Sequence, residues 1–211
     1  MQSTAIPKTS IAPATTPRPR PVRKEPRRIT WTEFERKYLT REDGFKYEWT
    51  NGIVEKSTYA MNPNQLYIQF NLQEIFMRLK SAGKVTGQLM AETDLLFSPR
   101  IHRRPDFAWL THAQAVGLAE KRDAIEVPAF VIEVVSGHGA AQKIADKMSQ
   151  YRAAGVQVVW HIYPIQKEVH VYSGENLESM TVCAGEKVCS AAPALPEFAF
   201  AAAEIFKKTA E

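Results

Sequence analysis

Four side chains stand out because their chemistry conflicts with the segments that hold them. Asp106 opens Pro105-Asp106-Phe107-Ala108-Trp109-Leu110, Glu133 interrupts Phe130-Val131-Ile132-Glu133-Val134-Val135, and Glu48 lies between aromatics in Phe45-Lys46-Tyr47-Glu48-Trp49. A carboxylate taken out of water without a partner is strongly disfavoured, or takes up a proton. Such groups persist where a counter-charge meets them, and one divalent cation can serve several together. Hard cations such as Mg²⁺ are held by one or two carboxylates with water and phosphate oxygens. The fourth side chain is a lysine. In the helix expected over 140–154, Ile144, Met148 and Tyr151 define an apolar stripe. With Ile144 at 0° and ~100° per residue, Lys147 falls at about −60° and Lys143 at about −100°. Lys147 therefore borders the buried stripe and can reach over the core, whereas Lys143 points further out.

Each signal also has a purely structural reading. Asp106 can open a strand by bonding nearby backbone. Glu133 can be one half of a buried ion pair with Lys147. Glu48 stands close to the turn signal Asn51-Gly52, where half of a strand can face water.

The elements that must position these groups are legible in outline. Thr30 or Thr32 can cap a helix through Phe34 that ends before Asp43-Gly44. Phe45 to Glu55 reads as two strands turned at Asn51-Gly52. Pro63 opens a helix with Ile68, Leu72, Ile75, Phe76 and Leu79 on one face, and Gly83 closes it. Val85 to Phe97 reads as one or two strands. Asp106–Leu110 and Ala129–Val135 are apolar on both faces, as buried central strands are. Thr111–Val127 is irregular or helical. A helix over 140–154 ends at a left-handed Gly155. Val156–Ile162 and Glu168–Tyr172 are the two final strands, and Ala191–Lys208 could add a small helix. The sum is one mixed-sheet α/β domain over 30–211.

Composition narrows the class. The 211 residues are 45% hydrophobic and 24% charged, with a net charge of +4. Residues 1–29 hold seven lysines and arginines against Glu25, so the remaining chain carries −2 and no broad basic footprint for nucleic acid. That proline- and arginine-rich stretch reads as a disordered arm, solubilising or able to follow a phosphate backbone. No stretch approaches the ~18 apolar residues of a membrane span, and no secretory signal is recognisable. Cys183 and Cys189 are too few for a disulfide framework or a cysteine-based zinc site, which makes a cytoplasmic setting the expectation. The five histidines lack zinc-motif spacing and read as surface or supporting residues. His138, in Ser136-Gly137-His138-Gly139 directly after Glu133, could face a phosphate, as could Arg100, Arg103 and Arg104 ahead of Asp106. A homodimer is an open expectation.

Taken in order, Tyr47-Glu48-Trp49-Thr50-Asn51-Gly52, Arg104-Pro105-Asp106, Val131-Ile132-Glu133-Val134-Val135-Ser136 and the run from Asp146-Lys147-Met148 to Ala154-Gly155-Val156 resemble the Uma2 family, formerly the domain of unknown function 820. That family is a branch of the PD-(D/E)XK superfamily, and the resemblance runs from about Trp31 to Tyr172. It implies an α/β fold with a restriction-endonuclease-like core, its mixed central sheet flanked by helices. It implies a metal-dependent endonuclease hydrolysing phosphodiester bonds in DNA, the alternative being an inactive nucleic-acid- or protein-binding module on the same fold. Asp106, Glu133 and the Val134 carbonyl would hold Mg²⁺ or Mn²⁺, with Glu48 as an additional acid. The superfamily lysine, often two residues after the second acid (here Val135), would be Lys147. Two segments depart from the family pattern. Pro63-Asn64-Gln65 replaces a common histidine, and Trp160-His161-Ile162-Tyr163-Pro164 lacks the usual acid.

Overall fold

The computed structural model describes residues 26–58, 63–121, 124–135 and 141–208. Most of the basic arm and His138 lie outside the described residues.

Helix α1 (Trp31–Phe34) is capped by the Thr30 side chain, which accepts from the Glu33 N–H, and it continues as a π-helical turn over Glu35–Leu39. Strands β1 (Phe45–Thr50) and β2 (Ile53–Thr58) form the expected hairpin. Asn51 and Gly52 both have positive φ, 51° and 89°, which a two-residue turn between right-twisted strands requires. Helix α2 (Pro63–Ser81) is followed by β3 (Gln88–Ala91), β4 (Leu95–Ser98), β5 (Ile101–Arg103) and β6 (Phe107–Leu110). Helix α3 (His112–Glu120) starts with a reciprocal Thr111–Gln114 cap. Then come β7 (Phe130–Val134), α4 (Ala141–Ala154), β8 (Val158–Tyr163), β9 (Glu168–Ser173), β10 (Ser179–Ala184), β11 (Val188–Ala191), β12 (Leu195–Ala201) and α5 (Ala202–Ile205).

The principal sheet has six strands in the order β10-β9-β8-β7-β6-β3. It is mixed, because β7 and β8 run parallel, joined through α4, while its other pairs are antiparallel. A second sheet has the order β2-β1-β5-β4, and β11 pairs with β12. The segment read as one or two strands over 85–97 is thus divided between sheets, β3 joining the first and β4 the second.

Strand alternation sorts the side chains. Phe107 and Trp109, Phe130 and Ile132, and Trp160 and Ile162 face a core with Ile68, Leu72, Ile75 and Phe76 of α2 and with Phe198 and Phe200 of β12. Ala108, Leu110, Val131 and Val159 face the other way, onto Met148 and Tyr151 of α4. Asp106 precedes Phe107 and Glu133 follows Ile132, so both share the α4 side. On β1, Tyr47 and Trp49 pack with Phe34 of α1, which turns Lys46 and Glu48 to the opposite face.

The C-terminal expectation needs correction. Glu168–Ser173 is not the last strand: three more follow before the small helix α5. The small helix expected within Ala191–Lys208 is confined to α5, and Leu195–Ala201 is a strand whose buried positions include Leu195, Phe198 and Phe200. Packing against the α2 core outweighs the helix preference of alanine. His102 and His161 are also not surface residues, each being 1% exposed. Among the described residues no helix is long and apolar enough to cross a membrane.

Candidate active site

The face of β1 opposite α1, the ends of β5 to β7, and α4 meet around a buried set of charges. Glu133 projects from β7 toward α4, and Lys147 returns to it from that helix. The Lys147 ammonium donates to Glu133 Oε1 and Oε2 at 2.9 and 3.0 Å and lies 3.3 Å from Glu48 Oε1. Tyr151, one helical turn later, donates its hydroxyl to the same Glu133 Oε1. Glu48 also accepts from the Arg104 backbone N–H at 3.0 Å and from Arg103 Nη1 at 3.2 Å. Asp106 accepts from the Val134 N–H at 2.6 Å through Oδ2, so it is tied to the strand that carries Glu133. Glu48, Asp106, Glu133 and Lys147 are therefore brought together, as is the Val134 backbone.

The site contains groups that sequence reasoning missed. Lys46 lies 3.2 Å from Asp106 Oδ1 and 3.2 Å from Glu92 Oε2. Lys46 had a readable signal, since it alternates with Glu48 on one face of β1. Glu92 had none: it occupies the non-repeating link between β3 and β4, with a left-handed φ of 49°. Tyr151, read only as an apolar stripe residue, is the hydroxyl partner of Glu133.

The two arginines ahead of Asp106 have different fates. Arg103 is 1% exposed and committed inward, to Glu48, to Glu55 at 3.0 Å and through Nε to Gln150 at 2.7 Å. Burial and these three contacts take it away from the phosphate-facing role expected of it, and it holds Glu48 in place. Arg104 keeps more solvent access, its side chain being 27% exposed, and its Nε donates to the Glu92 carbonyl at 2.7 Å. Arg103, Glu55 and Gln150 also line a cavity of about 730 Å³ with Thr50, Asn51 and Arg100. Glu48, Asp106, Glu133 and Lys147 are not among its walls, but Arg103, which is, donates to Glu48.

Electrostatics divides the acids. Burial alone would raise Glu48, but Lys147 and Arg103 outweigh it and hold the carboxyl down at about 2. Burial pushes Glu92 up, Lys46 pulls it back and Asp106 adds to the push, leaving it at about 7. Burial also raises Glu133 despite Lys147. Lys147 itself, although buried, is held above its ordinary range by Glu133 and Glu48, so it stays an ammonium ion at neutral pH. His161, paired in register with Glu133 across β7 and β8, is pushed down to about 4 by burial, with His170 and Lys147 adding to it.

The donor chemistry fits a hard divalent ion, because the acids offer only carboxylate oxygens. Glu92 Oε2 is buried with no aligned hydrogen-bond donor, the Lys46 ammonium lying 3.2 Å away, and it retains acceptor capacity. The present arrangement is held by ammonium groups instead: among the described residues no three His, Cys, Asp or Glu side chains are arranged to share an ion.

A helix-flanked mixed sheet that gathers acids and an ammonium beneath its crossover helix defines a nuclease-type fold. It is similar to the crystal structure of "a putative nuclease belonging to DUF820" from Anabaena variabilis ATCC 29413. That likeness has a TM-score of 0.65 at 16% identity and covers 84% of this chain and 97% of that one. The Uma2 family model, described as "Putative restriction endonuclease", matches residues 31–203, and the chain belongs to that family. No curated protein matches the sequence.

Proposed function

We propose that this protein is a metal-dependent endonuclease that hydrolyses phosphodiester bonds in DNA. The observation that carries the reading is the meeting of Asp106, Glu133 and Lys147, from three separate elements, at a buried position beside Glu48. The family description supports the substrate class. Asp106, Glu133 and the Val134 carbonyl would hold Mg²⁺ or Mn²⁺, which when bound supplies Lewis acidity and a water of lowered pKa.

The chain's own residues do the rest. Lys147, kept protonated by two carboxylates, is suited to stabilising negative charge on phosphate oxygens rather than to removing a proton. Tyr151 fixes the direction of Glu133. Arg103 and the Arg104 N–H fix Glu48, so Arg103 acts by positioning an acid. The Arg104 side chain, at the rim, is the arginine that can meet a substrate phosphate. Asp106→Ala or Glu133→Ala should abolish Mg²⁺- or Mn²⁺-dependent cleavage of plasmid or oligonucleotide DNA; cleavage retained by either variant rejects these roles.

One observation favours a second reading, a non-catalytic nucleic-acid- or protein-binding module. Both oxygens of Glu133 are engaged by Lys147, as in a structural ion pair. A ligand that binds only the native state raises the melting temperature. A wild-type protein with no Mg²⁺- or Mn²⁺-induced thermal shift and no cleavage of single- or double-stranded DNA would support this reading over the first.

A further inference from the structure

Lys46 has no role in the mechanism above, yet it is among the most deeply enclosed charges of the molecule, 8% exposed. A lone ammonium does not go there without compensation. Its compensation is specific: Asp106 Oδ1 and Glu92 Oε2, each at 3.2 Å. Glu92 is held against Asp106 by backbone as well, since its N–H donates to the Asp106 carbonyl at 3.1 Å. Its φ of 49° is a conformation that non-glycine residues adopt at a cost. The chain accepts that cost where it crosses from one sheet to the other with a carboxylate turned toward a second carboxylate.

The ammonium sits where a positive charge is needed but satisfies the oxygens incompletely. Asp106 accepts from both Lys46 and the Val134 N–H. Glu92 Oε2, buried and close to the ammonium, has no aligned donor. An ammonium and a divalent ion on the same Asp106 Oδ1 repel one another in a buried setting, so the two compete for that oxygen.

We infer that Lys46 is the resident counter-cation of the Asp106–Glu92 pair, that a divalent metal ion must displace its ammonium to bind, and that Glu92 is a further acid of the metal site. This rests on the metal-dependent reading above. Lys46 is a positioning residue: it keeps the two acids together in the metal-free protein and sets how tightly the ion binds.

The test is Mn²⁺ affinity, by calorimetry and by the electron-spin-resonance signal of free Mn²⁺, on the full chain and on Lys46→Met, Lys46→Arg and Glu92→Gln. Removing the competing charge should tighten binding in Lys46→Met by on the order of tenfold, Lys46→Arg should stay near wild type, and Glu92→Gln should weaken it. Mn²⁺ bound by Lys46→Met but not by wild type supports the inference in its strongest form. Equal or weaker binding by Lys46→Met, with wild type binding well, overturns the inference and leaves the metal-dependent reading standing. No binding by any of the four proteins overturns both. Amine acylation of the wild-type chain, followed by mass spectrometry, needs no variant to fold. Saturating Mg²⁺ should raise labelling of Lys46 while Lys147 stays protected, and unchanged labelling of Lys46 also overturns the inference.

Discussion

Lys147→Met removes the ammonium and keeps most of the side-chain volume, so it isolates charge from packing. In the native protein that ammonium makes three close contacts, at 2.9 and 3.0 Å to Glu133 and 3.3 Å to Glu48. Glu48 would keep Arg103 and the Arg104 N–H, whereas Glu133 would keep only the Tyr151 hydroxyl among its described partners. The loss therefore falls on Glu133, whose buried carboxylate would keep only Lys46, which it does not bond, as a counter-charge. Breaking a buried pair from one side costs about 3–5 kcal/mol, and the surviving tyrosine contact argues for the lower end, about 3 kcal/mol.

The loss should depend on pH in a definite direction. Burial already raises Glu133 above 4.5, and Lys147 is the main influence pulling it down. Without Lys147 the folded-state value rises further, so between the unfolded and folded values the native state holds the extra proton. Stability then falls as pH rises through that window. The deficit should be largest near neutrality, and acidification from pH 7 to pH 5 should return part of it. Urea unfolding followed by tryptophan fluorescence at the two pH values measures both quantities, and adding Glu133→Gln to Lys147→Met should recover most of the loss. A deficit below about 1 kcal/mol at pH 7, or one that does not shrink at pH 5, would refute the account of Lys147 as the counter-charge of a buried carboxylate.

Three further outcomes are expected. Glu48 is held at about 2 against an ordinary 4.5, so its contribution is present above 4.5 and lost as pH falls through about 2. The melting temperature of Glu48→Gln should accordingly vary less over that acid window than that of wild type, a difference of about 3 kcal/mol between its ends. Gly87→Ala would bring a Cβ within 2.4 Å of the Leu110 carbonyl and 2.8 Å of Trp109 Nε1 at a φ of +74°. It should cost upward of about 2 kcal/mol, whereas Gly155→Ala, at φ +88° with nothing within 4 Å, should lose only about 1 kcal/mol. Phe198→Ala should lose about 3–5 kcal/mol in urea titrations, because Phe198 is fully buried against Phe76, Phe130, Trp160 and Phe200; a loss below about 1 kcal/mol would make the C-terminal strands peripheral.

Legibility in the sequence followed the physics of each signal. Glu133 and Asp106 were readable because a charge inside an apolar strand is anomalous in one dimension, before any fold is known. Lys147 was readable because helical periodicity predicts which side chains border a buried stripe. The Asn51-Gly52 hairpin followed from backbone sterics alone. Glu92 was hidden because its role comes from where the chain leaves one sheet for another, and no local pattern encodes that crossing. Lys46 was overlooked for a different reason: a lysine in a strand is ordinarily solvated, and its alternation with Glu48 went unused although both faces of β1 are enclosed. The strands β11 and β12 escaped because alanine and serine carry weak strand preferences that packing on the core overrides.

Lys147 and Tyr151 both reach Glu133 from the same face of α4, one turn apart. Their spacing is thus guaranteed by a rigid rod rather than by the connection before it. Insertions or deletions upstream of Ala141 can be absorbed as long as the rod docks in the same place. A single residue added between Lys147 and Tyr151 would swing one of them by about 100° around the axis, taking one of the two donors away from Glu133.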